Sequence, residues 1–299
     1  MNNKQNQSTQ YNFNMFDLNS MFYDHDGITP YSPKICIIAP SGTGKSWIVR
    51  SILYHLKELD SAIVICPTDK MTKFYDSFVP SLYIHHQFDP DMIQKILDRQ
   101  RKMIVRYQKK IQEDKNPALL NKDLRLIFVM DDCMSSRKQF VHLDSFNSLM
   151  YEGRHYQIIF IMTMQYCLSL PPDARNNFEY IFLLSEDKMQ NRVRLYDNYA
   201  GMFPNQNIFN AVFDQITKDF KCMVINNRYK KDNNLENKIF WYKAVDHSPF
   251  TIGSTRYKSF AKKHFNSEYE EYYDNLLTKN YSPFVSVKLQ KEEKSPETY

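Results

Sequence analysis

The sequence is poor in glycine and has no long apolar run. It holds only six glycines in 299 residues, so two of them close together stand out. No apolar stretch approaches the roughly 18 residues that a membrane-spanning helix needs, and the amino terminus lacks the apolar core of a signal peptide. These absences predict a soluble, intracellular protein with no membrane insertion.

Paired metal-binding cysteines are also missing. None of the five cysteines stands in a C-x-x-C pair, which argues against a zinc site and favours buried thiols in a reducing compartment. The net charge of +5 is modest, so it permits an anionic partner without establishing one. The five cysteines are Cys36, Cys66, Cys133, Cys167 and Cys222.

Short apolar runs alternate with helical patterns along most of the chain. The runs are nearly all apolar, which is typical of strands buried on both faces. We therefore predict an α/β fold with a mainly parallel central sheet flanked by helices. Two further strands are predicted at Cys222–Ile225 and Ile239–Ala244. The five main runs are Ile35–Ala39, Ala62–Cys66, Leu126–Met130, Ile158–Met164 and Tyr180–Leu184.

Helical patterns fill the segments between these runs. A long one spans Pro90–Asp114 and carries a basic stretch from Arg99 to Lys110, which is either a solvated face or a phosphate-contacting side. Others are predicted at Lys138–Met150, Lys188–Ala200 and Gln206–Lys218.

Composition divides the chain into three parts. Residues 1–30 form a polar, Asn-rich arm that we expect to be partly disordered and to dock through its Phe13–Phe22 end. Residues 31–254 form the α/β domain, and residues 255–299 form a helix followed by a loose tail.

Residues 39–46 read Ala-Pro-Ser-Gly-Thr-Gly-Lys-Ser, which is a P-loop pattern between a strand and a helix. Gly42 and Gly44 let the backbone curl so that its N–H groups point inward toward phosphate. Lys45 is expected to reach the β- and γ-phosphates, and the Ser46 hydroxyl to bind Mg²⁺. The predicted ligands are ATP and Mg²⁺, and the predicted nucleotide-binding residues are Pro40, Ser41, Gly42, Thr43, Gly44, Lys45 and Ser46. The P-loop makes residues 31–254 the predicted ATPase domain.

Two acids end the apolar strand Leu126–Met130. Asp131 is the expected magnesium ligand, acting through water, and Asp132 the expected base or water-orienting group. Gln165 ends the next strand and can contact the γ-phosphate or the attacking water. This role requires its strand to lie between the P-loop strand and the Asp131 strand.

Two arginines are candidates for stabilising transition-state charge on a neighbouring subunit's nucleotide. Arg154 lies in the Gly-Arg-His-Tyr segment before the Gln165 strand, and Arg175 follows that strand. The alternative for each is an ordinary salt bridge at a helix end.

The segments APSGTGKS, FVMDDC, GRHY, FIMTMQ and LPPDARNNFEYIFLL resemble the FtsK–HerA superfamily of DNA-pumping ATPases. More narrowly, they resemble the poxvirus-type genome-packaging ATPases of nucleocytoplasmic large DNA viruses. The match covers about residues 34–245. Two departures are Ala39 in place of the first P-loop glycine and Asp132 in place of the glutamate usual in cellular members.

The resemblance implies a RecA-like P-loop NTPase of the ASCE type. It implies an ATP-hydrolysing double-stranded DNA translocase that packages viral DNA, working as a homo-oligomeric ring, hexameric or pentameric, with capsid or portal proteins as partners. Its place would be the host cytoplasm, at viral factories, and the virion.

Two other functions stay open from the sequence. A P-loop small-molecule kinase, such as a nucleoside kinase, shares the phosphate loop, although the paired aspartates and the Gln-ended strand fit it less well. A nucleotide-gated scaffold for capsid assembly would bind the nucleotide without hydrolysing it.

Overall fold

The computed structural model describes residues 10–114, 122–228 and 234–268, and these build one eight-stranded sheet. The strand order across the sheet is β3-β2-β4-β5-β1-β6-β7-β8. The strands are β1 (Lys34–Ile38), β2 (Ser61–Ile65), β3 (Ile84–His85), β4 (Leu126–Met130), β5 (Ile158–Met164), β6 (Tyr180–Leu183), β7 (Lys221–Asn226) and β8 (Ile239–Lys243).

Helices connect most of these strands and cover both faces of the sheet. The α-helices among the described residues are α1 (Lys45–His55), α2 (Asp69–Thr72), α3 (Pro90–Asp114), α4 (Arg137–Phe140), α5 (Asp144–Glu152), α6 (Pro172–Arg175), α7 (Met189–Tyr199), α8 (Gln206–Ile216) and α9 (Thr255–His264). Short 3-10 turns lie at Leu18–Phe22, Tyr75–Ser77, Ser81–Tyr83, Cys133–Ser136, Lys218–Phe220 and Leu235–Asn237.

The central strands β1, β4, β5 and β6 are mostly apolar, and both of their faces are buried. Alternate residues of β1 and β4, such as Cys36 and Phe128, pack into one core layer, together with residues of α3, α5, α7 and α8. Their neighbours, such as Ile37 and Val129, pack into a second layer with α1 on the opposite face. The period of two along each strand produces this three-layer α/β/α architecture.

The predicted strand order is confirmed. The P-loop strand β1 pairs in parallel with β5 and with β6, and β4 lies on the far side of β5. Strand β7 runs antiparallel to both of its neighbours, so the sheet is mainly but not wholly parallel. The carboxyl ends of β4, β5 and β1 therefore meet at one edge of the sheet.

The predicted helix Lys138–Met150 is wrong. The segment forms α4, which ends at Phe140, and α5, which begins at Asp144. Phe140, Val141 and Phe146 are all buried, and the break between the helices allows all three to pack into the same core. Asp144 also favours the start of a second helix, because a carboxylate in the first turn interacts favourably with the positive end of the helix dipole.

The amino-terminal segment packs against the core from Tyr11 onward. Phe16 and Phe22 are buried, and Met15 forms a bridge with Trp241 on the edge strand β8. The division at residues 30 and 254 stays a prediction, and residues 1–9 and 269–299 of the predicted arm and tail lie outside the described residues. No helix in the described ranges is long and apolar enough to cross a membrane.

Candidate functional site

The P-loop joins β1 to α1 at the carboxyl edge of the sheet. Gly42 and Gly44 adopt φ values of 78° and 101°, in the left-handed region that favours glycine. The Thr43 hydroxyl donates to the Pro40 carbonyl over 2.8 Å and fixes the curl. Helix α1 begins at Lys45 directly after this curl, so its positive dipole end faces the crevice at the edge of the sheet.

Lys45 is folded back onto its own loop. Its ammonium donates to the carbonyl oxygens of Ala39 and Pro40, each over 3.0 Å. Burial lowers the pKa of Lys45, while the charges of Asp132 and Asp131 act to raise it. The ammonium is thus close enough to interact with both acids, and its bonds to neutral carbonyls are replaceable by bonds to phosphate.

Asp131 is a buried carboxylate held by neutral donors. Its exposed fraction is 5%. One carboxylate oxygen accepts from the Thr163 hydroxyl over 2.5 Å, and the other accepts from the Tyr75 hydroxyl over 2.8 Å and from the Cys66 thiol over 3.7 Å. Burial raises the pKa of Asp131, and the bonds from Thr163 and Tyr75 oppose that rise.

Asp132 and Gln165 meet across the crevice. The Gln165 amide donates to the Asp132 carboxylate over 2.6 Å. Asp132 has a left-handed backbone, with φ of 56°, and its N–H donates to the Thr163 hydroxyl over 3.1 Å. The Ala39 N–H donates to the Met164 carbonyl over 3.0 Å, which sets the first P-loop residue beside Gln165. Lys45, Asp131, Asp132 and Gln165 are therefore brought together.

The two arginines lie elsewhere in the chain. Arg154 interacts with Tyr31, which precedes β1, and with Lys34, the first residue of β1. Both lie at the amino-terminal end of β1, whereas the P-loop follows its carboxyl end. Arg175 ends α6, and its guanidinium donates to the Leu170 carbonyl and to Asn198. The structure thus places Arg154 away from the nucleotide crevice of its own subunit.

Sequence reasoning missed three residues that hold the acid pair. Thr163 contacts both Asp131 and Asp132. It is the single polar residue in the apolar run of β5, and that interruption was a usable signal. Cys66 directly follows β2, and Tyr75 begins the 3-10 turn Tyr75–Ser77. Both reach Asp131, and nothing in their local sequence indicates this.

A cavity of about 880 Å³ lies beside the edge strand β3, between α3 and the end of α9. Its lining includes His85, His86 and Arg99. None of the P-loop residues lines this cavity, which is therefore separate from the phosphate-binding crevice.

Taken together, the strand order and the loop geometry define a P-loop NTPase fold of the RecA-like ASCE type, in which one strand separates the phosphate loop from the acid strand.

No protein-family model matches the chain. Relatives occur in large DNA viruses. An uncharacterized protein of Acanthamoeba polyphaga mimivirus is 42% identical over 254 residues, covering 85% of this chain and 84% of that protein. One from Invertebrate iridescent virus 3 is 32% identical over 237 residues, covering 77% and 84%.

The chain therefore belongs to the family of large-DNA-virus proteins that these two relatives represent. Solved structures with partial similarity include the genome packaging NTPase B204 from Sulfolobus turreted icosahedral virus 2. It is 12% identical, covers 73% of this chain and 98% of that one, and has a TM-score of 0.48. The EssC ATPases 2 and 3 from Geobacillus thermodenitrificans are 12% identical, cover 82% and 45%, and have a TM-score of 0.46.

Proposed function

We propose that this protein is an ATP-hydrolysing double-stranded DNA translocase that packages viral genomic DNA into the capsid. The observation that carries the proposal is the contact between Gln165 and Asp132 beside Lys45. Together, Lys45, Asp132 and Gln165 supply a phosphate-binding cation, a base and a γ-phosphate sensor in one crevice. The resemblance of the motifs to packaging ATPases and the family's occurrence in large DNA viruses support the packaging role.

In the proposed reaction the chain's own groups divide the work. The Lys45 ammonium leaves the Ala39 and Pro40 carbonyls and binds the β- and γ-phosphates. The Asp132 carboxylate orients a water molecule and takes a proton from it as the water oxygen bonds to the γ-phosphorus. The bond between the γ-phosphorus and the bridging oxygen breaks, and the electron pair leaves with ADP. Gln165 exchanges its bond to Asp132 for one to the γ-phosphate or the water, and so reports whether the γ-phosphate is present.

The residues present fit a magnesium ion. Ser46 and Asp131 offer the hard oxygen donors that Mg²⁺ prefers, and Mg²⁺ usually keeps several waters and takes only one or two protein groups besides substrate phosphates. When bound with ATP, Mg²⁺ would neutralise charge on the phosphates.

The position of Arg154 supports the proposed ring. An arginine at the edge opposite its own P-loop serves catalysis only by reaching another subunit's nucleotide. We therefore infer a homo-oligomeric ring, hexameric or pentameric, that surrounds double-stranded DNA and docks on capsid or portal proteins. It would act in viral factories of the host cytoplasm and be carried in the virion.

The test is the rate of ATP hydrolysis by the full chain with and without long duplex DNA, with Lys45→Ala as the control for contaminating ATPases. We expect strong stimulation by DNA and no activity in the variant. Stimulation by a nucleoside instead would indicate the kinase, and ATP binding without turnover under either condition would indicate the scaffold.

A further inference from the structure

The cavity beside β3 combines apolar and cationic side chains. Its volume of about 880 Å³ is within the range of pockets that hold a ligand of several rings or side chains. Ile84 and Phe265 supply part of its apolar surface. Among the described residues, three cations line it, with one carboxylate, that of Asp89, so the lining is net cationic. The cations are Lys70, Lys95 and Arg99.

The cavity also lies along an open edge of the sheet. Strand β3 is the first strand in the order of the sheet, and within the described part of the chain only β2 pairs with it. An open edge presents unpaired backbone groups, and natural proteins usually cover such an edge with a loop or a helix. A covering segment is therefore expected on the outer side of β3.

The carboxyl-terminal part of the chain arrives at the rim of this cavity. Helix α9 is held in place by Tyr257, whose ring stacks on Tyr83 at a centroid distance of 3.8 Å and whose hydroxyl donates to the Ala62 carbonyl. The helix ends at His264, and residues 264–266 line the cavity. The residues that follow therefore start at the cavity and need no linker to reach it.

The sequence after this point has a composition that matches the cavity lining. Residues 268–274 read Glu-Tyr-Glu-Glu-Tyr-Tyr-Asp, so they carry four carboxylates and three tyrosines and no cation. The carboxylates suit the cations of the lining, and the tyrosine rings suit its apolar surface. A segment tethered beside a site also acts on it at a millimolar effective concentration.

We propose that residues 268–274 of the same chain dock in this cavity and cover the open edge of β3. In this arrangement the acids of the segment face Lys70, Lys95 and Arg99, and its tyrosine rings pack on the apolar part of the lining. The surface is separate from the P-loop crevice, so the inference does not depend on the proposed ATPase function.

Cross-linking of the full chain with a carbodiimide tests this docking, because the reagent joins an amine to a carboxylate only where the two are in contact. We expect links from Lys70 and Lys95 to residues 268–274. Lys110, which lies further along α3 and outside the cavity, should form few links to this segment. A mixture of isotope-labelled and unlabelled protein separates links within one chain from links between two chains.

Two matched variants show whether the links depend on docking. Tyr272→Ser/Tyr273→Ser keeps every carboxylate of the segment but removes two of its rings, so most of the links to the cavity lysines should be lost. The control Tyr281→Ser/Tyr299→Ser removes two tyrosines further along the chain and should keep the wild-type yield of links.

A labelled peptide of residues 268–277 measures independently whether the cavity is filled. It should bind the variant Glu270→Gln/Glu271→Gln/Asp274→Asn about tenfold or more tightly than it binds the wild type, because the variant's own segment no longer competes as a tethered ligand. The control Glu292→Gln/Glu293→Gln/Glu297→Gln removes the same charge nearer the end of the chain and should bind the peptide as weakly as the wild type does.

The opposite results would overturn the proposal. Links between labelled and unlabelled chains would place a second copy's segment in the cavity. Links to the cavity lysines that are absent, or that persist in Tyr272→Ser/Tyr273→Ser, would show that the segment does not dock there. Equal peptide affinity for the wild type and the charge variant would show that the cavity is open to another partner.

Discussion

The two adjacent aspartates at the end of β4 have opposite environments. Asp131 is buried, and Thr163 and Tyr75 donate to its two oxygens. Asp132 is partly exposed and accepts from a side chain on the next strand, Gln165. The left-handed backbone of Asp132 turns its side chain toward the crevice and away from the sheet. In the proposed mechanism, the same residue type supplies a buried metal-binding carboxylate at Asp131 and an accessible base at Asp132.

The accessible position of Asp132 leads to a prediction about hydrolysis. Asp132→Asn should keep the affinity for ATP and reduce the turnover number by about 10²- to 10⁴-fold, because the amide preserves the shape but removes the basicity. Calorimetry for binding and a phosphate-release assay for turnover check this. Hydrolysis at the wild-type rate would remove Asp132 from the catalytic role.

The burial of Asp131 leads to a prediction about pH and stability. Because burial raises the pKa of Asp131 above its ordinary value of 3.8, the folded protein binds the proton more tightly than the unfolded chain. The nucleotide-free wild type should therefore lose stability as the pH rises from that value through the folded pKa. Asp131→Asn carries no charge there, so its melting temperature should gain on that of the wild type as the pH rises above 3.8.

The control for this experiment is Asp91→Asn, which changes a carboxylate whose side chain is 80% exposed in α3. Asp91 pairs with Lys95 in the first turn of α3, so this variant should melt slightly below the wild type, by an amount that stays constant above about pH 4. A difference between Asp131→Asn and the wild type that stays constant over the pH range would show that burial of the charge is not the cause.

Helix α3 presents a buried side and a charged side. Ile93 and Leu97 pack into the core, and the Gln100 amide donates to the carbonyls of Leu124 and Tyr156. The predicted basic side includes Arg99, but that guanidinium donates to Ser61 and Gln100. The exposed cations of the predicted stretch beyond it are Arg101, Lys102, Arg106, Lys109 and Lys110.

The outer side of α3 is the place to test for DNA binding. Replacing Lys102, Arg106, Lys109 and Lys110 with alanine should weaken the stimulation of ATP hydrolysis by duplex DNA. The slope of log affinity against log salt should become shallower by about 0.9 for each DNA phosphate that the variant no longer neutralises. Affinity measured from 50 to 200 mM salt checks this.

Helix α9 offers a matched control with the same charge. Replacing Arg256, Lys258, Lys262 and Lys263 with alanine removes one arginine and three lysines from another surface. This variant should keep the wild-type stimulation and salt slope. Equal behaviour of the two variants would show that α3 contributes only bulk charge.

At the scale of the whole molecule, the P-loop and Arg154 occupy opposite edges of one sheet. Arg154 lies beside Lys34 and Tyr31, whereas Lys45 lies with the acid pair. Arg175 is a weaker candidate for reaching a neighbour, since its guanidinium already serves Leu170 and Asn198. Only assembly with a second copy can bring an arginine from the opposite edge to a nucleotide.

Subunit mixing tests this arrangement. Arg154→Ala and Lys45→Ala should each be inactive alone, and a mixture should regain part of the ATPase activity, because some interfaces combine an intact P-loop with an intact arginine. The wild type's specific activity should also rise with protein concentration as rings form. A mixture that assembles but stays inactive would exclude Arg154 as the group acting between subunits, and Arg175 would be tested in the same way.

Local patterns determined a large part of this fold. The apolar runs predicted the strands β1, β4 and β5 because a doubly buried strand tolerates no polar face, and the P-loop glycines marked the turn into α1 because few other residues adopt its φ values. The long amphipathic pattern predicted α3 over its full length. The same reasoning failed for the predicted helix Lys138–Met150, where core packing on both sides of Val141 decided the break.

The sequence by itself determined which residue types carry the proposed chemistry, because strands that end in acids or amides at a shared edge bring those groups together. Only the tertiary structure decided what surrounds them. Thr163 and Tyr75 reach Asp131 because β5 and the segment after β2 pack beside β4. Arg154 lies near the amino-terminal ends of the strands, a full strand length from the P-loop at their carboxyl ends. Interactions between residues far apart in the chain depend on strand register and packing, which no local pattern encodes.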